Sequence, residues 1–132
     1  MNKYDIDSTY RQFYVADASI EEDAPDDWTD KHIKQHYYAK ENIVALVTEG
    51  DITARLFCFS PKEQNTIHEK SGFSIETKIN VPSGRLGIYE WPWEKLEEHA
   101  IPSGETTIRF KGFNLENANS EKDYYSIEVI SA

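Results

Sequence analysis

Two histidines spaced four residues apart are the first candidates for chemistry in this sequence. His32 and His36 would lie on one face of a helix, a spacing that can bind zinc. However, Ile33 rather than a glutamate follows the first histidine, a lysine lies between the two, and no third ligand is apparent. His68 and His99 are isolated and are assigned no role. The sequence therefore predicts surface histidines and neither a metal nor a cofactor.

Nucleophilic and phosphate-binding chemistry has no better support. The chain has no glycine-rich phosphate loop, no GxSxG elbow and no HExxH motif. Its one cysteine, Cys58, lies in the apolar run LFCF, which indicates a small buried hydrophobe rather than a nucleophile. Because no nucleophile, base and orienting group can be assembled, we predict that the protein is not an enzyme.

A Trp-Pro-Trp segment offers a different kind of site. Trp91 and Trp93 flank Pro92, and two such rings can stack on a sugar. Tryptophans in this setting more often plug the end of a β-sandwich or cover one of its edges. A small-molecule or carbohydrate-binding β-sandwich is therefore the alternative function that the sequence leaves open.

The strongest anomaly is the acidic segment, residues 17–30 (DASIEEDAPDDWTD). It contains seven of the 24 acids and no base, and such a concentration repels itself unless a cationic partner meets it. Trp28 either packs against Ile33 at the start of a helix or touches that partner. Loose calcium binding by its aspartates is a minor hypothesis, because EF-hand spacing is absent. The predicted partner-binding residues are Glu21, Glu22, Asp23, Asp26, Asp27, Trp28 and Asp30.

Overall charge limits the class of partner. The 132 residues fit one domain, residues 1–132, and carry a net charge of −10. Nucleic acids and membrane surfaces are polyanionic and would repel such a chain, so a basic protein is the favoured partner. With no signal peptide, no apolar membrane-spanning segment and a single cysteine, we expect a cytoplasmic protein.

The elements that must hold these residues are mostly strands. The aromatic run 10–15 predicts a first strand, and Thr29 predicts the N-cap of a helix at about 30–39, docked through Ile33, His36 and Tyr37. The segments 42–48 and 52–59 predict a hairpin around the turn 49–51. Further predicted strands follow at 73–81, 86–91, 106–110 and 124–130, with polar loops at 61–72 and 114–122. The predicted fold is a mainly β antiparallel sandwich of about seven to eight short strands.

The N-terminal part of the sequence resembles the competence protein J (ComJ) family. The similarity lies in residues 10–15 (YRQFYV) and in the tetrad Asp27-Trp28-Thr29-Asp30, followed by Ile33 and Tyr37. It continues more weakly through the hairpin, the turn 101–104 and the C-terminal strand. The segment 91–93 and the loop 114–122 have no counterpart in the family pattern.

Members of the ComJ family inhibit the nuclease that acts during DNA uptake in competent bacteria. The resemblance thus implies a cytoplasmic inhibitor that binds a basic nuclease and blocks DNA hydrolysis. An immunity protein against a toxin nuclease fits equally well, because such pairs diversify at their contact surfaces. The oligomeric state stays open, and the family supplies no contact residues that can be transferred to this chain.

Overall fold

The computed structural model describes residues 1–7, 12–20, 25, 27–48, 53–61, 63–67, 71–90, 93–113 and 123–130. These residues form ten strands and one short helix, arranged in two five-stranded sheets. The described part of the chain has no helix long and apolar enough to cross a membrane. The predicted mainly β sandwich is confirmed, with ten strands in place of seven to eight.

Sheet I contains five strands in the spatial order β1-β5-β10-β9-β6. In chain order, they are β1 (Asn2–Asp7), β5 (Thr53–Phe59), β6 (Phe73–Val81), β9 (Gly104–Phe113) and β10 (Asp123–Ile130). All neighbouring pairs are antiparallel except β5 and β10, which are parallel.

Sheet II contains the other five strands in the order β3-β4-β2-β7-β8, all antiparallel. They are β2 (Gln12–Asp17), β3 (Tyr37–Ala39), β4 (Ile43–Val47), β7 (Arg85–Glu90) and β8 (Glu94–Ala100). A β-bulge interrupts the β7–β8 pairing between Ile88 and Tyr89.

The main core lies between the two sheets and follows from the two-residue period of the strands. In β2, Phe13 and Val15 point into this core, whereas Tyr14 and Ala16 belong to a second, separate cluster. Aromatic rings fill much of the centre: Phe110 and Tyr125 stack at 5.6 Å between centroids. Cys58 lies in the same core and is fully buried, as predicted.

The helix is shorter than predicted, and the prediction that it docks through Ile33 is wrong. Thr29 is the N-cap as expected, but α1 spans only Asp30–Gln35. His36 ends it in the left-handed conformation (φ 69°), and Tyr37 already belongs to β3. Ile33 is 53% exposed rather than docked. The apolar spacing over residues 30–39 resembles one helix, but these residues form a short helix, a chain reversal and an edge strand.

The hairpin predicted across residues 42–59 is also wrong. Its two strands exist as β4 and β5, but β4 lies in sheet II and β5 in sheet I, so they do not pair. The turn 49–51 lies outside the described residues, as does the loop 114–122. Strong apolar runs predicted the strands, but they carry no information on which sheet each strand joins.

Two strands were missed because their sequences are polar. β1 pairs with β5 at one edge of sheet I, and β8 pairs with β7 at one edge of sheet II. Edge strands need only one apolar contact: Tyr4 and Leu96 supply it by packing on the main core. Their remaining charged side chains suit a sheet edge, since charges discourage pairing with other chains.

Candidate partner-binding site

The predicted partner-binding residues fall into two groups. Glu21, Glu22, Asp23 and Asp26 lie outside the described residues, so their role stays a prediction. Asp27, Trp28 and Asp30 are described and lie together just before and at the start of α1. Asp27 and Asp30 are exposed, and Trp28 is half-buried.

Asp17 begins the acidic segment but is not part of its exposed surface. Its carboxylate is 1% exposed and accepts hydrogen bonds from the backbone N–H and hydroxyl of both Ser19 and Ser83, at 2.7–3.0 Å. Burial by itself would raise the pKa of Asp17, but these four donors outweigh it and lower the pKa to about 2. The residue therefore ties the start of the segment to the β6–β7 turn.

The end of the acidic segment is held by an aromatic contact. The Trp28 indole N–H donates to the carbonyl of Pro25, which is buried, at 3.2 Å. The indole ring packs edge-on against Tyr38 (5.7 Å) and His32 (6.1 Å). Ile33, on which the sequence predicted that Trp28 packs, is 53% exposed, and the ring contacts of Trp28 are instead those with Tyr38 and His32. Trp28 anchors the segment to sheet II through Tyr38.

Asp27 is fixed in its ionised form beside this anchor. Its Oδ1 accepts a hydrogen bond from the Tyr38 hydroxyl at 2.7 Å. That bond is the main cause of a lowered pKa for Asp27, because it favours the carboxylate over the acid. The carboxylate therefore stays charged and exposed at neutral pH, as an electrostatic contact requires.

His32 of α1 and His36, which ends the helix, face different neighbours. His32 Nδ1 accepts from the Thr29 backbone N–H at 3.1 Å, which completes a reciprocal capping box, and its ring stacks on Tyr38 at 3.8 Å. His36 instead stacks on Phe73 of sheet I at 3.7 Å. They are thus ring-packing residues rather than free surface histidines. Among the described residues, no three histidine, cysteine or acidic side chains could hold a metal ion.

A second polar cluster lies at the opposite edge of the sandwich. Glu97, on β8, accepts hydrogen bonds from the Tyr4 hydroxyl (2.7 Å) and the Asn2 amide (3.2 Å) of β1, and it pairs with His99. The sequence suggested that His99 is isolated, but it contacts Glu97. Burial, with a smaller contribution from Glu97, raises the pKa of the Cys58 thiol, so this thiol is a poor nucleophile. The hydrogen bonds from Tyr4 and Asn2 to Glu97 thus link the edge strand of sheet I to the edge strand of sheet II.

The outer face of sheet II carries an aromatic cluster that sequence analysis missed. Tyr14, Ala16, Ile43, Ala45 and Tyr89 are buried there, outside the main core. Trp28 and Tyr38 cover one side of this group. On the other side, the Trp93 ring stacks on Tyr89 with centroids 4.2 Å apart. The sequence contains one indication of this cluster: β2 and β4 have apolar residues on both faces, which is unusual in a sheet that exposes one face to water. We call Trp28, Tyr38, Tyr14, Tyr89 and Trp93 the outer aromatic cluster.

Charge is distributed unevenly around this framework. The acidic segment carries −7 of the net −10, so the other 118 residues carry only −3. On the outer face of sheet I, acids are matched by bases: Glu76 lies 2.6 Å from Arg109, and Glu128 lies 3.6 Å from Arg109 and 3.8 Å from Lys111. Most of the net negative charge therefore belongs to a segment whose described ends are tied to sheet II.

Comparison with known proteins gives a structural relative and no sequence relative. No protein-family model matches the chain, and no curated protein matches its sequence. Its structure is similar to the crystal structure of ComJ, inhibitor of the DNA degrading activity of NucA, from Bacillus subtilis, with a TM-score of 0.73 and 20% identity over 100% of this chain and 96% of that one. The product of crocagin biosynthetic gene J matches with a TM-score of 0.49 and 16% identity over 99% of each chain. The first similarity shows that the chain has a ComJ-like fold.

Proposed function

We propose that this protein is a cytoplasmic inhibitor of a bacterial nuclease and belongs with the ComJ proteins. It binds the basic DNA-binding cleft of its partner through the acidic segment and performs no chemistry of its own. The observation that carries the proposal is that one segment holds seven acids and no base, in a chain whose fold is like that of a nuclease inhibitor.

The inhibitory mechanism follows from the charge of the cleft. A nuclease attracts DNA by placing bases where phosphates will lie, and each contact is largely electrostatic and sensitive to salt. Carboxylates placed along the same bases compete with phosphates directly. Asp30 supplies such a carboxylate in the first turn of α1, and Asp27 supplies one just before the helix cap. Glu21, Glu22, Asp23 and Asp26 supply four more in sequence.

Both ends of the acidic segment are attached to the fold. Asp17 fixes its start to Ser83, and Trp28 fixes its end to sheet II. Holding the ends lowers the entropy that the segment loses when it meets a partner. The proposal covers both a nuclease of DNA uptake and a toxin nuclease, because each presents a basic cleft.

Co-purification followed by an activity assay tests the function. The tagged full-length chain is recovered from its host, the co-purifying protein is identified, and degradation of linear DNA by that protein is followed with and without the chain. We expect a nuclease that is inhibited at a stoichiometric ratio. Recovery of no nuclease, or of one that degrades DNA at the same rate when saturated with the chain, would refute the proposal.

Charge reversal tests the binding mode separately. Asp26→Lys with Asp27→Lys should weaken inhibition by about 10-fold or more at low salt, and less at high salt, because the lost attraction is screened. The matched control is Glu76→Lys with Glu105→Lys, which makes the same charge change on sheet I. If the two double variants inhibit equally, the acidic segment is not the contact surface.

A carbohydrate-binding module using Trp91 and Trp93 is the second candidate. Its support is that Trp93 is 43% exposed. Trp91 lies outside the described residues, and the rings behind Trp93, Tyr14 and Tyr89, are only 3% and 5% exposed. Among the described residues of this site, Trp93 alone is exposed, and a single ring is a small platform for a sugar, so nuclease inhibition is the better supported function.

A further inference from the structure

Trp93 is the aromatic residue among the three large hydrophobic side chains that are exposed in the described part of the chain, the others being Met1 and Ile33. It lies between β7 and β8, and 43% of its surface is open to solvent. A large apolar side chain left exposed beside a charged strand is a common feature of protein interfaces, where tryptophan is enriched among the residues that dominate binding.

The ring is held firmly from behind. Its stack on Tyr89 is nearly parallel, at 9°, and it also meets Tyr14 at 5.4 Å. Tyr14 donates a hydrogen bond to Gln12 at 2.8 Å, and the Tyr89 ring folds back over Gly87. Because its supports are buried and fixed, Trp93 loses little conformational freedom when a partner covers it.

The ring is also continuous with the acidic segment. Tyr14 and Tyr89 belong to the buried patch that Trp28 and Tyr38 cover from the other side. Asp27 is hydrogen-bonded to Tyr38 at that side. One aromatic layer therefore joins an exposed ring to exposed carboxylates on the same face of sheet II.

We propose that the outer aromatic cluster is the apolar half of the nuclease-binding surface, with Trp93 as its anchor. This inference rests on the proposed function and adds a contact that charge alone does not supply. The occupant is a planar arginine side chain beside the basic cleft of the nuclease. A guanidinium stacks on the face of a tryptophan, and a net charge of −10 favours such a basic surface.

Binding kinetics separate this contact from the acidic one. The nuclease recovered by co-purification is immobilised, and association and dissociation rates are measured for the full-length chain and its variants. Trp93→Ala should raise the dissociation rate by roughly 30-fold and leave association nearly unchanged, as loss of a hot-spot side chain does. Asp26→Lys with Asp27→Lys should instead lower the association rate.

The matched control comes from the outer face of sheet I. Phe57 is half-buried there, with its ring 5.9 Å from Tyr124, and Phe57→Ala should leave both rates within about 2-fold of the parent. Trp93→Phe keeps a ring on Tyr89 and should recover most of the affinity. Circular dichroism and thermal unfolding establish that each variant is folded.

The outcomes distinguish the two proposals. If the parent inhibits the nuclease and Trp93→Ala dissociates no faster than Phe57→Ala, the aromatic contact is wrong while nuclease inhibition stands. Nuclease binding that survives Trp93→Ala, together with oligosaccharide quenching of tryptophan fluorescence that the same variant abolishes, assigns the ring to sugar binding and also overturns the inference. A parent that binds no nuclease overturns both.

Discussion

The outer faces of the two sheets differ in how their charged and aromatic residues are arranged. On sheet I, charges of opposite sign are interleaved, as in the contacts of Arg109 with Glu76 and Glu128. The aromatic residues there, such as Phe57 and Tyr124, are half-buried against one another. On sheet II, the acids of the anchored segment have no base among them, and Trp93 is left open to solvent.

The difference shows which face is complete in the isolated protein. A face with paired charges and covered rings has nothing to gain from a partner, because binding would remove satisfied groups from water. A face that carries an excess of acid and an exposed ring does gain, through charge complementarity and apolar burial together. If the proposed function holds, the partner is therefore expected to contact the outer face of sheet II rather than that of sheet I.

The largest expected effect is a loss of stability on adding a methyl group in the main core, compared with the same change beside the outer aromatic cluster. A methyl group added at Gly112 would lie 2.3 Å from the Phe73 ring, which packs on the main core, and one added at Gly87 would lie 2.7 Å from the Tyr89 ring on the outer face. We expect Gly112→Ala to cost about 3 kcal/mol and Gly87→Ala about 1 kcal/mol. Urea denaturation measures both.

Only the second glycine variant should alter binding. Gly87→Ala moves Tyr89 from beneath Trp93, so nuclease dissociation should be faster although the protein remains folded. Equal destabilisation by both variants would mean that the outer aromatic cluster is a second structural core rather than a recognition surface.

The next effect concerns the anchor at Asp17. The pKa of Asp17 is lowered from 3.8 to about 2, so the charged form stabilises the fold fully above pH 3.8, and this contribution is lost as the pH falls towards 2. Asp17→Asn should cost about 2 kcal/mol at pH 7, and the difference from the parent should shrink between pH 4 and pH 2. Thermal unfolding as a function of pH measures this.

The sheet I counterpart provides the contrast. Glu76→Gln breaks a pair in which Glu76 is 53% exposed, so its cost should stay below about 1 kcal/mol and should diminish with salt. If Asp17→Asn were as mild as Glu76→Gln at every pH, the hydrogen bonds from Ser83 and Ser19 would not anchor the acidic segment.

The smallest effect concerns Asp27. Tyr38→Phe removes the hydrogen bond to Oδ1 and leaves the ring stack on His32 intact, so the pKa of Asp27 should rise towards the ordinary aspartate value. NMR titration of the Asp27 side-chain carboxyl in the parent and the variant measures this. An unchanged Asp27 titration would show that Tyr38 does not hold the carboxylate.

Local sequence determined the features that depend on a few neighbouring residues. The alternation in 73–81 and 124–130 gave β6 and β10 nearly to the residue, because a side-chain period of two is set by the backbone itself. Thr29 gave the helix start, since capping involves atoms three residues apart. The concentration of charge in the acidic segment is likewise a property of the sequence alone.

Tertiary structure decided everything that depends on distant partners. Residues 37–39 pair with β4 as an edge strand, and His36, where the chain reverses, stacks on Phe73 of the other sheet. β4 and β5 went to different sheets although adjacent in sequence. The same distinction applies to the candidate site. Its acids can be identified from the sequence alone. The support for Trp93 cannot, because Tyr14 and Tyr89 are brought together only when β2 pairs with β7. Cross-strand contacts are made between residues far apart in sequence, and no local pattern specifies them.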